Sequence, residues 1–224
     1  MRTARLSHSS PLWIQGYART DLFTDSVTSL GHMKWSSSPV VLGILILTSC
    51  SSSLSVPEEE SALVKGASIT DASFQALSGK LQQAMERGGP AYAVEFCSLN
   101  ALSILDSLSS AHGATIRRTS DRIRNPQDLP YDEEARILRT MLAEWKQVNN
   151  ETAIRPRVEL HGDSIAYYRP IFINTPACLK CHGIPGSTLD SAAQAEITAR
   201  YEQDQATGYA INDLRGVWSV RWKR

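Results

Sequence analysis

Five consecutive residues, Cys178-Leu179-Lys180-Cys181-His182, limit what this 224-residue chain can become more than any other part of it. Two cysteines separated by two residues and followed directly by histidine form the C-x-x-C-H pattern of haem c attachment. The thiols are spaced to add across the two vinyl groups of one haem as thioethers, and His182 is then placed beneath the iron as an axial ligand. A C-x-x-C pair alone also suits half of a zinc site or a redox dithiol. Compartment weighs between these readings, because haem c is attached outside the cytoplasm, so an export signal is expected.

Residues 33–50 supply one. Pro39-Val40-Val41-Leu42-Gly43-Ile44-Leu45-Ile46-Leu47 is an apolar run too short to span a bilayer but of signal-peptide length. Met33-Lys34 precedes it with a start and a positive charge. Leu47-Thr48-Ser49-Cys50 follows it, the pattern of a bacterial lipoprotein whose cysteine is acylated. Residues 1–32 carry Asp21 and Asp25 and resemble no part of a signal peptide, so they read as an over-extended N-terminus. The alternative is one processed leader over residues 1–49. The expected organisation is a signal peptide over 33–49, a flexible Ser-rich tether over 50–68 and one domain over 69–224. A lipid on Cys50 would tie the protein to a membrane without spanning it, on the periplasmic side of the envelope. Ser51 favours the outer membrane.

Of 23 basic and 23 acidic residues, the leader takes Arg2, Arg5, Arg19, Lys34, Asp21 and Asp25, leaving 19 and 21. A net charge near −2 gives no footprint for nucleic acid and no polybasic membrane patch. The four cysteines are Cys50, Cys97, Cys178 and Cys181. With one for lipid and two for haem, Cys97 is left as a free thiol, which an exported protein exposes to oxidation.

The periodicity predicts a helix over Asp71–Arg87, capped by Thr70, with Phe74, Leu77, Leu81 and Met85 as its apolar stripe. Gly88-Gly89-Pro90 breaks it. A second helix is predicted from Pro90 to His112, stopped by Gly113. Val94, Cys97, Ala101, Ile104, Leu105 and Leu108 recur there at helical steps, which puts Cys97 on the buried face, where most free cysteines act as small hydrophobes. A β-compatible stretch over 114–119 and a loop over 124–130 follow. A third helix spans 132–148, with Ala135, Leu138, Leu142 and Trp145 inward. Two strands, over 152–160 and 164–173, flank a hairpin turn at His161-Gly162-Asp163. The haem motif is expected on a loop. Asp190 caps a fourth helix to Tyr201, and residues 216–222 form a last strand. Helices first and an antiparallel sheet later make the class α+β. Trp145, Trp218 and Trp222 read as core residues.

These pieces resemble the PAS-like c-type haem domain family, long catalogued as a domain of unknown function. The resemblance covers residues 70–222. It rests on Gly88-Gly89-Pro90 before a helix with one cysteine, Arg118-Thr119-Ser120 with Arg124-Asn125-Pro126, and Tyr168-Arg169-Pro170-Ile171. The haem motif with Gly183, Gly208-Tyr209 and Asp213-Leu214-Arg215-Gly216 complete it. Asn212 stands where the pattern usually has glycine. The resemblance implies a PAS-like antiparallel sheet flanked by helices, with one covalently bound haem c. It also implies that Cys97 is the second axial ligand of the iron. His161 and His112 are the alternatives to Cys97, although the first reads as a turn residue and the second as a helix end. Arg118, Arg124 and Arg169 are candidates to pair with the haem propionates, since a guanidinium grips carboxylates in a fork.

An iron held by His182 and a Cys97 thiolate has a depressed potential and is six-coordinate at rest, so substrate turnover is not expected. Reduction would weaken the iron–sulfur bond and admit carbon monoxide or nitric oxide. The expected role is redox or gas sensing, or one-electron transfer with a periplasmic partner protein. No kinase, cyclase or methyl-accepting segment follows the haem domain, which leans the expectation toward a carrier or redox-responsive partner. A peroxidase-type enzyme would need the iron position assigned to Cys97.

Overall fold

The computed structural model describes residues 53–148 and 150–224. The expected start at Met33, the signal peptide and Cys50 lie outside them. The elements run α1 (Val56–His112), β1 (Thr115–Thr119), α2 (Asp132–Val148), β2 (Arg157–His161), β3 (Ser164–Phe172), α3 (Pro176–His182), α4 (Ser191–Arg200) and β4 (Leu214–Lys223). No described helix is long and apolar enough to cross a membrane.

The C-terminal strand enters between the others, giving one antiparallel sheet in the order β1-β4-β3-β2. Alternation along the strands decides what each face meets. Ile116, Ile165, Tyr167, Trp218, Val220 and Trp222 pack with Ala62, Ile69 and Leu105 of α1. On the opposite face Ala166, Tyr168, Leu214 and Val217 pack with Ile137, Leu138 and Met141 of α2. Ion pairs rim α2: Arg117–Glu134 at 3.3 Å, Arg221–Glu133, Arg136–Glu159 and Arg157–Glu144. A third cluster joins Val94 of α1 to Leu189, Ala193 and Ile197, with Cys181 and Tyr201 at its edge.

The first expectations to change are at α1. Residues 56–68 are not a tether but the opening turns of this helix. The Ser55 amide and hydroxyl donate to the Glu58 carboxylate at 2.9 and 2.6 Å, and Pro57 sits where a missing N–H costs nothing. Ala62, Gly66, Ile69 and Ser73 recur at helical spacing and are buried; small side chains let the helix lie close to the sheet, but they give no apolar signal. Thr70 is therefore no cap, and its hydroxyl donates back to the Gly66 and Ala67 carbonyls. The apolar stripe also fails in part: Phe74 is 57 % and Leu81 38 % exposed.

Elsewhere local rules hold. Gly88 and Gly89 leave helical geometry, Gly89 with φ 71°, so α1 has two halves meeting before Pro90. Gly113 ends it in the left-handed region, and Gly162 turns the β2–β3 hairpin with φ 61°. Asp190 accepts from the Ala192 and Ala193 amides at 3.0 Å and caps α4. A single 3-10 turn over Glu151–Ala153 delays β2 to residue 157.

Candidate functional site

The C-x-x-C-H residues are helical, not in a loop. Pro176 opens α3, and the Gly183 amide closes it on the Leu179 carbonyl at 2.8 Å. Three residues apart on one turn, Cys178 and Cys181 share a face. Gly183 is required, because a Cβ there would collide with the Thr188 hydroxyl and the Leu179 carbonyl. Residues 204–209 strap this turn from outside: the Gly208 amide donates to Gly183 O at 2.7 Å and the Tyr209 amide to His182 O at 3.0 Å.

The strap also fixes the histidine. His182 Nδ1 lies 2.7 Å from Ala206 O. A carbonyl only accepts, so Nδ1 carries the proton and Nε2 the lone pair. Burial, reinforced by the positive charges of Arg215, Arg124 and Arg118, holds the imidazole pKa well below its usual value, so the ring is neutral. Its side chain is crowded yet retains some accessible surface. A neutral ring with one nitrogen tied back and the other free is the form that binds a metal.

Cys97, Cys178 and Cys181 are all free thiols. Cys97 follows Val94 by one turn on α1, on the face that meets α4 and Cys181. The two thiols feel one another: charge on Cys97 would raise Cys181, whose pKa burial already pushes up to about 11. Burial raises Cys97 also, against the pull of Arg118 and Arg124. Among the described residues no group of three or more His, Cys, Asp or Glu side chains is arranged to hold a metal ion.

Around His182 positive charge is in excess. Arg118 Nε, Arg215 Nε and Tyr209 OH are buried with no hydrogen-bond partner. Arg215 lies 5.5 Å and Arg122 4.2 Å from the Tyr209 ring centre, and Tyr209 meets His182 edge-on at 6.3 Å. Arg118 lies over Trp218 at 5.7 Å. Burial, then proximity to Arg124 and Arg118, lowers the Arg215 pKa. Two carboxylates lie near: Asp204 is paired with Arg124 at 2.9 Å, and Asp128 has its pKa raised by burial. A buried N–H without an acceptor is costly, so the Arg118 and Arg215 Nε–H groups suit a ligand that brings carboxylates. The set therefore fits a haem: two thiols on one turn, a neutral imidazole, a third thiol beside them and two buried guanidinium Nε–H groups with no acceptor, suited to propionates.

The structure sorts the sequence candidates. Cys97, Cys178, Cys181, His182, Arg118 and Arg124 are gathered here. Arg169 instead donates to Asp71 and Thr70 on the N-terminal half of α1. His161 stands on the α2 face, 3.2 Å from Glu159, and His112 ends α1. Arg215, Tyr209, Arg122 and Ala206 were not foreseen as site residues. Arg215 and Tyr209 stood within motifs of resemblance, but nothing local in those motifs assigned them a role.

A family model described as Tll0287-like matches residues 48–222. The chain belongs to the Tll0287-like family. Among solved structures, the "cyanobacterial heme-protein Tll0287" matches with a TM-score of 0.54 and 21 % identity, over 73 % of this chain and 96 % of that one. At that identity the match shows a shared fold: the α+β architecture of this Tll0287-like chain is that of the cyanobacterial protein. No curated protein sequence matches the chain.

Proposed function

We propose that this Tll0287-like chain is an exported protein that binds one haem c, undergoes one-electron redox change and, when reduced, opens to a small gas. One observation carries this reading. His182 spends its Nδ1 proton on the Ala206 carbonyl and presents a neutral Nε2 from the same turn that holds Cys178 and Cys181. Family membership and the fold shared with a haem protein support it.

In this reading Cys178 and Cys181 would attach the haem covalently, and His182 with the Cys97 thiolate would hold its iron. Arg118 and Arg215 receive the propionates, and Arg169, already paired with Asp71, is free of that task. A bound haem c supplies a ferric–ferrous couple. The protein biases it. An anionic Cys97 favours the more positive oxidised state, and coordination makes up for the burial that otherwise keeps the thiol protonated. Cys97, which burial inclines to stay protonated, would be the ligand that gives way to carbon monoxide or nitric oxide once the group is reduced. An acyl chain on Cys50 ties the protein to the periplasmic side of the envelope, within reach of a redox partner protein.

The test is made on protein exported from a host that matures haem c. After denaturing electrophoresis the wild type keeps haem peroxidase staining, and the Cys178→Ala, Cys181→Ala double variant loses it. Haem removed from the wild type by acid acetone overturns the covalent reading.

A further inference from the structure

We propose that Arg124 is a positioning residue that sets, through the carbonyl of Ala206, how strongly His182 donates to the iron. The proposal rests on the haem-binding reading above and adds a residue that acts on the ligand from behind. Arg124 was expected to face a propionate. Its guanidinium is instead turned onto the main chain that surrounds the C-x-x-C-H turn.

Arg124 Nε donates to Asp204 Oδ1 at 2.9 Å, an ion pair whose side chains are 13 % and 9 % exposed. One terminal nitrogen donates to the Cys181 carbonyl at 2.7 Å and to the Ala206 carbonyl at 3.3 Å. The Ala206 amide returns a bond to Asp204 Oδ1 at 3.2 Å, which fixes the strap to the same ion pair. Ala206 O thus accepts from two donors: the neutral His182 Nδ1–H at 2.7 Å and a cation.

The consequence is electronic. A hydrogen bond from a ligating histidine to a carbonyl raises ligand basicity, because the acceptor draws the Nδ1 proton and leaves the ring more anionic. A guanidinium on that oxygen competes for its lone-pair density and weakens its pull on the proton. The low exposure of the pair strengthens the effect, since little water intervenes. Arg124 therefore restrains His182 as a donor, and its bond to Cys181 O holds the second attachment cysteine in register with the histidine.

The experiment uses the full exported protein with Arg124→Gln and Arg124→Lys. Haem staining, reduction potential, and the Fe–C and C–O stretches of the reduced protein under carbon monoxide are compared with wild type. Removing the charge in Arg124→Gln is expected to keep the stain and lower the potential. It should also displace the two stretches from their usual inverse relation, as a stronger donor opposite carbon monoxide does. Arg124→Lys keeps a point charge near the carbonyls and should stay close to wild type. An unchanged potential in the Gln variant, an equal fall in both variants, or stretches that move only along the inverse relation overturns the proposal. If Arg124→Gln does not mature, Asp204→Asn serves instead. It frees Arg124 from its carboxylate, so the potential should rise; no rise overturns the idea. A wild type without gel-stable haem marks failure of the haem reading, which is a separate outcome.

Discussion

At Cys97 burial and charge pull in opposite directions. Its surroundings raise the thiol pKa, while Arg118 and Arg124 lower it. A thiol so placed ionises only for a partner that binds the anion directly, as iron would. Cys97→Ala should therefore keep covalent haem, raise the reduction potential and bind carbon monoxide faster; a wild-type ferric spectrum and potential in that variant would move the ligand elsewhere. Arg215 gives a complementary test. Its Nε–H is buried without an acceptor, so in haem-free protein that unmet donor is a cost. Arg215→Gln should stabilise the haem-free chain by about 1–3 kcal/mol, the range for relieving an unsatisfied buried group, and weaken its retention of haem. Chemical denaturation of haem-free protein measures the first effect, and a drop in stability there would show that Arg215 is already satisfied. The identities of both residues are plain in the sequence. What faces them is not.

Among the elements, the N-terminal half of α1 owes its place to small residues. Gly66 lies directly against the Tyr167 ring, and an added Cβ would overlap it. Gly66→Ala should cost about 1–3 kcal/mol, the usual penalty of overpacking, although alanine favours the helix itself. Equilibrium unfolding in urea reads the difference, and a stabilised variant would show that propensity outweighs the contact. The same element explains why periodicity misjudged this region. Phe74 and Leu81 keep helical spacing yet stay largely outside the core, because Ala62, Gly66, Ile69 and Ser73 form the face that meets the sheet. The C-terminal half was legible: Pro90 opens it, Gly113 stops it, and Val94 and Leu105 are buried as their spacing requires.

Across the whole molecule, Glu58 joins the first turn of α1 to Arg224, with the Arg224 Nε 3.1 Å from the carboxylate. Hydrogen bonds from Ser55 and then Arg224 lower its pKa from 4.5 to about 2. A depressed carboxyl stabilises the fold above its unfolded pKa, and the contribution is lost as pH falls from about 4.5 toward about 2. The thermal midpoint should decline across that window, and Glu58→Gln should lower the midpoint at neutral pH while flattening the decline. An unchanged acid profile in the variant would assign the dependence to other groups. The sequence by itself determined what depends on near neighbours: the break at Gly88-Gly89, the stops at Gly113 and Gly162, the cap at Asp190 and the α+β order. Only the tertiary structure decided which cations stay unpaired, since Arg124 finds Asp204 80 residues away and Arg169 finds Asp71 98 residues away. Capping and turn rules act over a few residues, where sequence adjacency and spatial adjacency coincide. Burial and charge pairing act between segments brought together by the sheet, and no local pattern records which ones meet.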